Sequence, residues 1–162
     1  MSNNLKWNKR FIELCEHVST WSRDPSTKVS AIIVDAEHNV RALGFNGLPR
    51  GVDDTTERLE NRELKYPMTV HAELNAISTC SRLGIQTEGC YIVCTHFPCS
   101  SCCGSIIQAG IVKVIVPKSS EDFLSRWQDT ITLSKQMFDE AGVELVVIDM
   151  DAPTLHQFSS VL

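Results

Sequence analysis

The sequence has neither a long apolar run nor an excess of positive charge, and each lack excludes a class of protein. No stretch approaches the ~20 consecutive apolar residues of a membrane-spanning helix, and residues 1–10 lack the apolar stretch of a secretory signal. Fifteen Lys and Arg against 20 Asp and Glu give a net charge of −5, which disfavours a large nucleic-acid-binding face. We therefore expect a soluble, cytoplasmic protein without membrane or nucleic-acid partners. One or two cations could still hold a small phosphorylated molecule.

Glycine and proline are also sparse, with eight and six residues, and they punctuate a chain of 162 residues that is 43% hydrophobic. That length and apolar content fit one domain. We assign residues 1–150 to this domain and residues 151–162, which lack periodicity, to a C-terminal tail. No internal repeat or linker interrupts the chain.

The hydrophobic periodicity predicts alternating helices and strands. The predicted strands are 29–35, 40–45, 90–95, 111–116 and 143–148, and the predicted helices are 5–20, 52–66, 69–83, 99–109 and 121–141. Their order predicts an α/β fold, a mixed five-stranded sheet with helices on both faces in three α/β/α layers. The strands of 90–116 should be parallel, because a helix joins them.

Three details of this assignment are open to direct checking. Pro67 should end the charged, exposed helix at 52–66. Leu74, Ile77 and Cys80 should face inward from the helix at 69–83. The nearly unbroken apolar runs at 111–116 and 143–148 are typical of strands covered on both faces.

The seven cysteines fall into two groups. Three of them lie among apolar neighbours and should be core residues, namely Cys15, Cys80 and Cys90. The other four crowd into ten residues, at Cys94, Cys99, Cys102 and Cys103. Because intracellular thiols stay reduced, such a cluster indicates metal or catalytic chemistry before disulfides.

His71-Ala72-Glu73 and Pro98-Cys99-Ser-Ser-Cys102 together follow the pattern H-x-E…P-C-x-x-C, known in zinc deaminases. Cys99 and Cys102, three residues apart, share one helix face, and free N–H groups in the first helical turn favour the thiolate. His71, from the start of another helix, would be the third zinc ligand. Three protein ligands leave a fourth position open, as in catalytic zinc sites.

Glu73 is two residues from His71, so it does not share its helix face and is poorly placed as a fourth ligand. At the helix mouth its carboxylate could lie beside a water and move a proton. Bound zinc lowers the pKa of that water to roughly 7.

Each half of the pattern has an ordinary alternative. His-x-Glu occurs at many polar helix starts, and Cys-x-x-Cys also serves redox chemistry. A closed structural zinc site could be completed by Cys103, His96 or Cys94, although Cys103 should point to another helix face. The two halves together favour catalytic zinc.

Several stretches show that the chain resembles the cytidine deaminase superfamily and, more closely, the deoxycytidylate (dCMP) deaminases. They are Trp21-Ser-Arg-Asp-Pro-Ser-Thr-Lys-Val29, Gly44-Phe-Asn-Gly-Leu-Pro-Arg-Gly51, His71-Ala-Glu-Leu-Asn-Ala-Ile77, Pro98-Cys-Ser-Ser-Cys102 and Ile106-Ile-Gln-Ala-Gly-Ile111. The zinc motif is specific to the superfamily, and the stretch at 44–51 narrows it to dCMP deaminases.

The resemblance implies hydrolytic deamination of dCMP to dUMP and ammonia, which supplies dUMP for thymidylate synthesis. It implies that one Zn²⁺ is held by His71, Cys99 and Cys102, and that Glu73 moves the proton as hydroxide attacks C4 of cytosine. Asn46 matches the asparagine that contacts the substrate sugar. We also assign substrate binding to Ala72 and Lys28, with Lys28 and Arg50 as candidate phosphate contacts.

The resemblance further implies allosteric regulation, with dCTP as activator, dTTP as inhibitor and Mg²⁺ on the triphosphate. The candidate residues for this regulatory nucleotide are Asn46, Gly47, Arg50 and Gly51. The assembly that the resemblance implies is a homohexamer.

Some residues depart from the family pattern. Phe45 stands where Tyr is common, and Ser30 stands where Gly is common. Some family members hold a second zinc with Cys and His in or near an insertion before the His-x-Glu helix, and residues 52–70 contain neither Cys nor His, so this chain lacks those ligands there.

Several alternatives remain open. Asn before Gly is also a routine turn residue that tolerates positive φ. The substrate could instead be cytidine, guanine, a riboflavin precursor or adenosine in tRNA. A non-catalytic zinc scaffold is the alternative outside enzymes.

Overall fold

A single mixed sheet organises the computed structural model, which describes residues 2–152. The strands are β1 (Ser30–Val34), β2 (Val40–Phe45), β3 (Tyr91–Cys94), β4 (Lys113–Pro117) and β5 (Glu144–Ile148). They lie in the order β2-β1-β3-β4-β5. β1 is antiparallel to both of its neighbours, whereas β3, β4 and β5 are mutually parallel. The predicted mixed five-stranded sheet is confirmed, and β1 is the only one of its strands that runs in the reverse direction.

Helices cover both faces of this sheet. They are α1 (Ser2–Ser19), α2 (Thr56–Glu60), α3 (Arg62–Met68), α4 (Ala72–Leu83), α5 (Ser100–Gln108), α6 (Glu121–Arg126) and α7 (Gln128–Glu140). Helix α1 packs on one face, and α4, α5 and α7 contribute to the core on the other. This is the predicted three-layer α/β/α fold.

Alternation along the central strands builds the two cores. In β1, Ala31 and Ile33 join the core beneath α4 and α5, whereas Ile32 and Val34 join the core beneath α1. All four are fully buried, because successive side chains of a strand point to opposite faces. The cysteines predicted for the core, Cys15, Cys80 and Cys90, are buried as well.

The edge strand β5 is less covered than its apolar sequence predicts. Val147 is 53% exposed, so the prediction that 143–148 is covered on both faces is wrong for this strand. Val146 and Ile148 pack in the core beneath α1, so Val147 lies on the opposite face, together with Leu145. The physical reason for its exposure is position, since β5 ends the sheet and the helices of that face leave Val147 uncovered. β4, one strand further in, does have three consecutive buried residues.

Two predictions for the helical segments are also wrong. Pro67 lies inside the last turn of α3 instead of ending the helix before it, because proline removes one N–H donor without unfolding a terminal turn. Leu74 is 40% exposed, since the buried side of α4 follows Ala72, Ala76 and Cys80 at four-residue spacing. Ile77 does pack against the core.

Helix α1 also holds the chain that follows β5. The ammonium of Lys9, 8% exposed, donates to the carbonyl of Met150 at 2.9 Å and to the carbonyl of Ala152. The tail predicted at 151–162 lies mostly outside the described residues. Within residues 2–152, no helix has the length and apolar character required to traverse a bilayer.

Candidate metal centre and active site

The two helices that carry the motif begin at the same edge of the sheet. β2 and β3 are both antiparallel to β1, so their carboxyl ends lie at one edge. α5 follows β3 after a short loop, and α4 follows β2 after a segment, residues 46–71, that contains α2 and α3. A backbone bridge between Gly47 and Val70 fixes that segment immediately before His71. In α/β proteins, ligands bind at the carboxyl ends of the parallel strands.

Close packing of α4 on β2 sets the position of the first motif. A Cβ at Gly44 would lie 2.3 Å from the carbonyl oxygen of Ala72 and 2.4 Å from the backbone nitrogen of Ala76. The absence of a side chain at Gly44 therefore lets α4 approach β2 backbone to backbone. Thus a residue of the 44–51 stretch determines where His71 and Glu73 lie.

His71, Cys99 and Cys102 form one cluster, with their ligating atoms all within 4.8 Å of one another. The Sγ atoms of Cys99 and Cys102 lie 3.6 and 3.4 Å from Nδ1 of His71. In a tetrahedral zinc site, bond lengths of about 2.3 Å to sulfur and 2.0–2.1 Å to nitrogen separate these atoms by about 3.6 Å. Both the donor set and its spacing therefore fit zinc.

Local backbone structure explains how the cluster forms. His71 and Cys99 are the N-caps of α4 and α5, and neither makes a side-chain cap hydrogen bond. Their side chains are consequently free to bind a metal ion at the N-termini of the two helices, where the helix dipole favours negative charge. Cys102, the third residue of α5, is 4% exposed and contributes the buried thiol of the cluster.

Hydrogen bonds within the cluster stabilise a negative charge on the sulfur of Cys99. Hydrogen bonds from the Cys102 thiol and the His71 imidazole lower the pKa of Cys99 to about 4. The hydrogen bond to Cys99, together with burial, raises the pKa of Cys102. The hydrogen bond with Cys99 also raises the pKa of His71. A thiolate is thus stabilised where a metal ligand is needed.

Glu73 lies beside this cluster and is 5% exposed. Burial raises the pKa of its carboxyl, against opposing contributions from its own backbone N–H and from His71. A hydrogen bond between the Glu73 carboxyl and the Cys102 thiol lowers the pKa of the carboxyl and raises that of the thiol, which places the carboxyl next to Cys102. A buried carboxyl with a raised pKa is suited to exchanging protons near neutral pH.

The other candidate ligands point elsewhere. The thiol of Cys103 donates to the backbone carbonyl of Ser134 at 3.5 Å, and Cys94 is buried in the core. The ring of His96 contacts the Thr95 hydroxyl and Phe123, and burial lowers its pKa. Among residues 2–152, the cluster therefore has three protein donors, and a tetrahedral zinc ion held by them would keep its fourth coordination position for water.

A family model for the cytidine and deoxycytidylate deaminase zinc-binding region matches residues 5–118. The chain belongs to this family. Its relatives include an uncharacterized deaminase in the luxG 3′ region of Aliivibrio fischeri, 49% identical over 147 residues, with 90% of this chain and 96% of that one covered. Human deoxycytidylate deaminase is 33% identical over 162 residues, covering 91% and 88% of the two chains.

A solved structure of the dCMP deaminase of cyanophage S-TIM5, in complex with dCMP and dUMP, resembles this deaminase. The two align with a TM-score of 0.68 and 27% identity, over 86% of this chain and 94% of that one. These relationships show that the chain is a deaminase enzyme of the cytidine deaminase fold.

Asn46 of the deaminase joins two loops at the active-site edge. Its side-chain oxygen accepts from the backbone N–H of Val29 at 2.8 Å, and its amide nitrogen donates to the carbonyl of Thr27 at 2.9 Å. As a turn residue before Gly47, Asn46 could have had a positive φ, but it does not. Among residues 2–152, the non-glycine residue with a positive φ is His38. An amide can make four hydrogen bonds, so one N–H and one lone pair remain for a ligand.

The other residues assigned to substrate or effector binding are spread around this loop. The ammonium of exposed Lys28 donates to the carbonyl of Ser22 at 2.8 Å. Ala72, fully buried, presents its backbone at the mouth of α4. Arg50 and Gly51 are exposed, and Gly51 has a φ of +81°. None of these four belongs to the three-residue metal cluster.

A cavity of about 190 Å³ adjoins Asn46 and Gly47. Its wall contains aromatic, cationic and acidic side chains, including Trp21, Arg23, Phe45, Asp24 and Asp54. Arg23 and Asp54 lie 3.8 Å apart, and Trp21 meets Phe45 edge to face. The cavity therefore combines surfaces suited to a nucleobase and to charged groups.

A buried ion pair next to this cavity was not predicted from the sequence. The ammonium of Lys65 lies 3.1 Å from Oδ1 of Asp24, and the two residues are 4% and 8% exposed. The pair joins α3 to the loop before β1. Lys65 stands in a highly charged segment, and Asp24 is 41 residues away, so no local pattern links them.

Proposed function

We propose that this deaminase converts dCMP and water to dUMP and ammonia. The observation that carries the proposal is the cluster of His71, Cys99 and Cys102 with Glu73 beside it. It occurs in a chain whose 33% identity to human deoxycytidylate deaminase extends over 91% of its length. The likeness to the cyanophage enzyme in complex with dCMP and dUMP supports the same substrate.

His71, Cys99 and Cys102 would hold one zinc ion. When bound, zinc would supply a Lewis acid that makes water nucleophilic at neutral pH. Glu73 would take one proton as the water oxygen bonds to C4 and deliver it to N3. It would then take the remaining proton of the C4 hydroxyl and pass it to the amino group. Cleavage of the C4–N bond then releases ammonia and leaves the C4 carbonyl of dUMP.

The remaining residues would orient the nucleotide. Asn46 retains one N–H and one lone pair for the sugar, and the loop that it supports carries Lys28. The free backbone N–H groups at the mouth of α4, including that of Ala72, are donors for the pyrimidine or the phosphate. Binding in this manner orients C4 relative to Glu73.

Steady-state rates on dCMP, deoxycytidine, cytidine and dCTP test the substrate. We expect the largest kcat/KM for dCMP. Equal or faster turnover of the nucleoside would refute the choice of a monophosphate substrate.

Glu73→Gln tests the proton-transfer role, with Glu13→Gln on the exposed side of α1 as the matched control. We expect Glu73→Gln to lose at least 10²-fold in kcat while zinc content stays unchanged, and Glu13→Gln to behave as wild type. Full activity of Glu73→Gln would contradict the mechanism. It would be the result expected of a non-catalytic zinc scaffold.

We also propose that dCTP activates and dTTP inhibits the enzyme through the loop of Asn46, Gly47, Arg50 and Gly51, with Mg²⁺ on the triphosphate. The adjoining cavity of about 190 Å³ supports a nucleotide there. Its wall includes Asp24 and Asp54, whose carboxylates would repel a triphosphate unless a cation screened it. Unchanged rates on addition of either nucleotide with Mg²⁺ would refute this proposal.

Arg50→Gln should weaken the response to nucleotide, whereas Arg62→Gln, at an exposed position of α3, should not.

We also propose that the protein assembles as a homohexamer and that it supplies dUMP for thymidylate synthesis. Large exposed apolar side chains, among them Tyr66, Leu83 and Leu133, support assembly. Sedimentation of the purified protein tests the hexamer.

A further inference from the structure

Two residues of helix α7, Thr130 and Ser134, make three hydrogen bonds to the segment that carries Cys99. The hydroxyl of Ser134 donates to the carbonyl oxygen of Pro98 at 3.0 Å, and the backbone N–H of Ser100 donates to the hydroxyl oxygen of Thr130 at 2.9 Å. The Thr130 hydroxyl in turn donates to the Ser100 hydroxyl at 3.3 Å. Ser134 is fully buried, so its bond is shielded from water.

The hydrogen bonds to the Pro98 carbonyl and from the Ser100 N–H hold the two peptide groups on either side of Cys99. The carbonyl of Pro98 belongs to the peptide that precedes the Cα of Cys99, and the N–H of Ser100 belongs to the peptide that follows it. Rotation of these two planes about Cα defines φ and ψ, which are −70° and 166° at Cys99. Thr130 and Ser134 thus fix the backbone torsions from which the Cys99 side chain projects.

Cys99 needs such support because it caps α5 instead of lying within it. Its φ and ψ are extended, so the helical hydrogen-bond ladder constrains its backbone only through its carbonyl, which accepts from Cys103. Cys102 lies in the first turn of α5, so the helical conformation of the backbone sets the direction of its side chain. Of the two cysteine donors, Cys99 is therefore the one whose position depends more on contacts from outside α5.

We propose that Thr130 and Ser134 are positioning residues of the metal site, which set the direction of Cys99 without touching the ion. The inference rests on the proposed zinc site and extends it to α7. Groups that orient metal ligands contribute about 10- to 100-fold to metal affinity. Loss of either hydroxyl should weaken zinc binding within that range.

The test compares Thr130→Val and Ser134→Ala with Thr132→Val. Thr132 is exposed on the same helix, and its hydroxyl donates to the carbonyl of Gln128 within the helix. Zinc affinity is measured by competition with a chromophoric chelator, on samples whose circular dichroism shows the wild-type fold. We expect about 10- to 100-fold weaker zinc binding for Thr130→Val and Ser134→Ala, and wild-type affinity for Thr132→Val.

A second readout separates positioning from general stability. Co²⁺ bound in place of zinc gives thiolate charge-transfer absorption, which should shift or weaken in Thr130→Val but not in Thr132→Val. Thr130→Ser keeps the hydroxyl and should recover affinity and spectrum. If Ser134→Ala does not fold, because the buried Pro98 carbonyl is left without its donor, Thr130→Val and Thr130→Ser decide the question.

The possible results are distinguishable. Variants with wild-type zinc affinity and cobalt spectrum, whatever their melting temperature, would overturn the positioning role and leave the proposed function intact. Wild-type protein that binds neither metal would remove the proposed function and this inference together. Weakened affinity without recovery in Thr130→Ser would show that packing, not the hydroxyl, is responsible, and would also overturn the inference.

Discussion

Replacement of Lys65 by methionine should destabilise the protein far more than the loss of a typical surface charge. Lys65 and Asp24 form the buried pair that joins α3 to the loop before β1, with 3.1 Å between Nζ and Oδ1. Lys65→Met keeps most of the buried volume and removes the ammonium. The Asp24 carboxylate, 8% exposed, is then left without its cation.

The expected cost follows from the contacts that survive. At an effective dielectric constant of 20, two charges 3.1 Å apart attract by about 5 kcal/mol before desolvation is considered. Removing one partner of a buried pair typically costs about 3–5 kcal/mol. Asp24 retains hydrogen bonds from the backbone N–H groups of Ser26 and Thr27, at 2.8 and 3.1 Å. We therefore expect the lower end, about 3 kcal/mol.

Urea unfolding measures this cost, with Lys118→Met as the matched control. Lys118 lies 3.7 Å from Asp149, and these side chains are 71% and 49% exposed, so its pair should contribute less than about 1 kcal/mol. We expect Lys65→Met to lower the urea midpoint strongly and Lys118→Met to change it little. Equal effects of the two substitutions would refute the reasoning.

The same pair predicts a dependence on acid pH. Burial alone would raise the pKa of Asp24, but hydrogen bonds from Ser26 and Thr27, and the Lys65 ammonium, lower it below its ordinary value of 3.8. The carboxylate therefore contributes stability that is present above about pH 4 and lost as pH falls through the lower folded pKa. Lys65→Met should show a smaller loss over this range, and an unchanged or larger loss would contradict the assignment.

Three further predictions concern the site itself. Gly44→Ala should destabilise the protein by about 1–3 kcal/mol or more, because the new Cβ would lie 2.3 Å from a backbone oxygen of α4. Gly104→Ala, whose new Cβ would have its nearest contact at 3.8 Å, should not. Thermal unfolding measures both variants, and equal melting temperatures would contradict the close approach. A strong chelator should lower the melting temperature of the zinc-loaded wild type and leave Cys99→Ser unaffected, and a wild type that does not respond would argue against a bound metal. Asn46→Ala should lower the melting temperature and raise KM for dCMP, since it removes two hydrogen bonds to residues 27–29, whereas Asn39→Ala in an exposed turn should leave KM unchanged.

Patterns local in sequence predicted most of the fold. Strand positions followed from apolar runs, and the sheet order confirmed the parallel β3–α5–β4 unit. Exposure at Val147 and Leu74 did not follow from these patterns, because hydrophobicity does not reveal which strand lies at an edge or how α4 is rotated on the sheet. Both are consequences of tertiary packing.

The site was predictable where its chemistry is encoded by spacing. Two residues separate Cys99 from Cys102, which places both on one helix face, and the His-x-Glu pattern marks the second helix. Contacts between distant segments had no such signal. The Lys65–Asp24 pair spans 41 residues and the Ser134–Pro98 hydrogen bond spans 36. None of these four residues belongs to a pattern in its own segment that would have indicated its distant partner.

The ammonium of Lys9 sets a lower limit on how far this deaminase can be shortened. Its acceptors are main-chain oxygens at 150 and 152, which any side chain at those positions would provide. A stop codon directly after β5 would remove both oxygens from an ammonium that is 8% exposed in the full chain, whereas substitutions at 150 and 152 would keep both. At this end of the chain, length therefore matters more than residue identity.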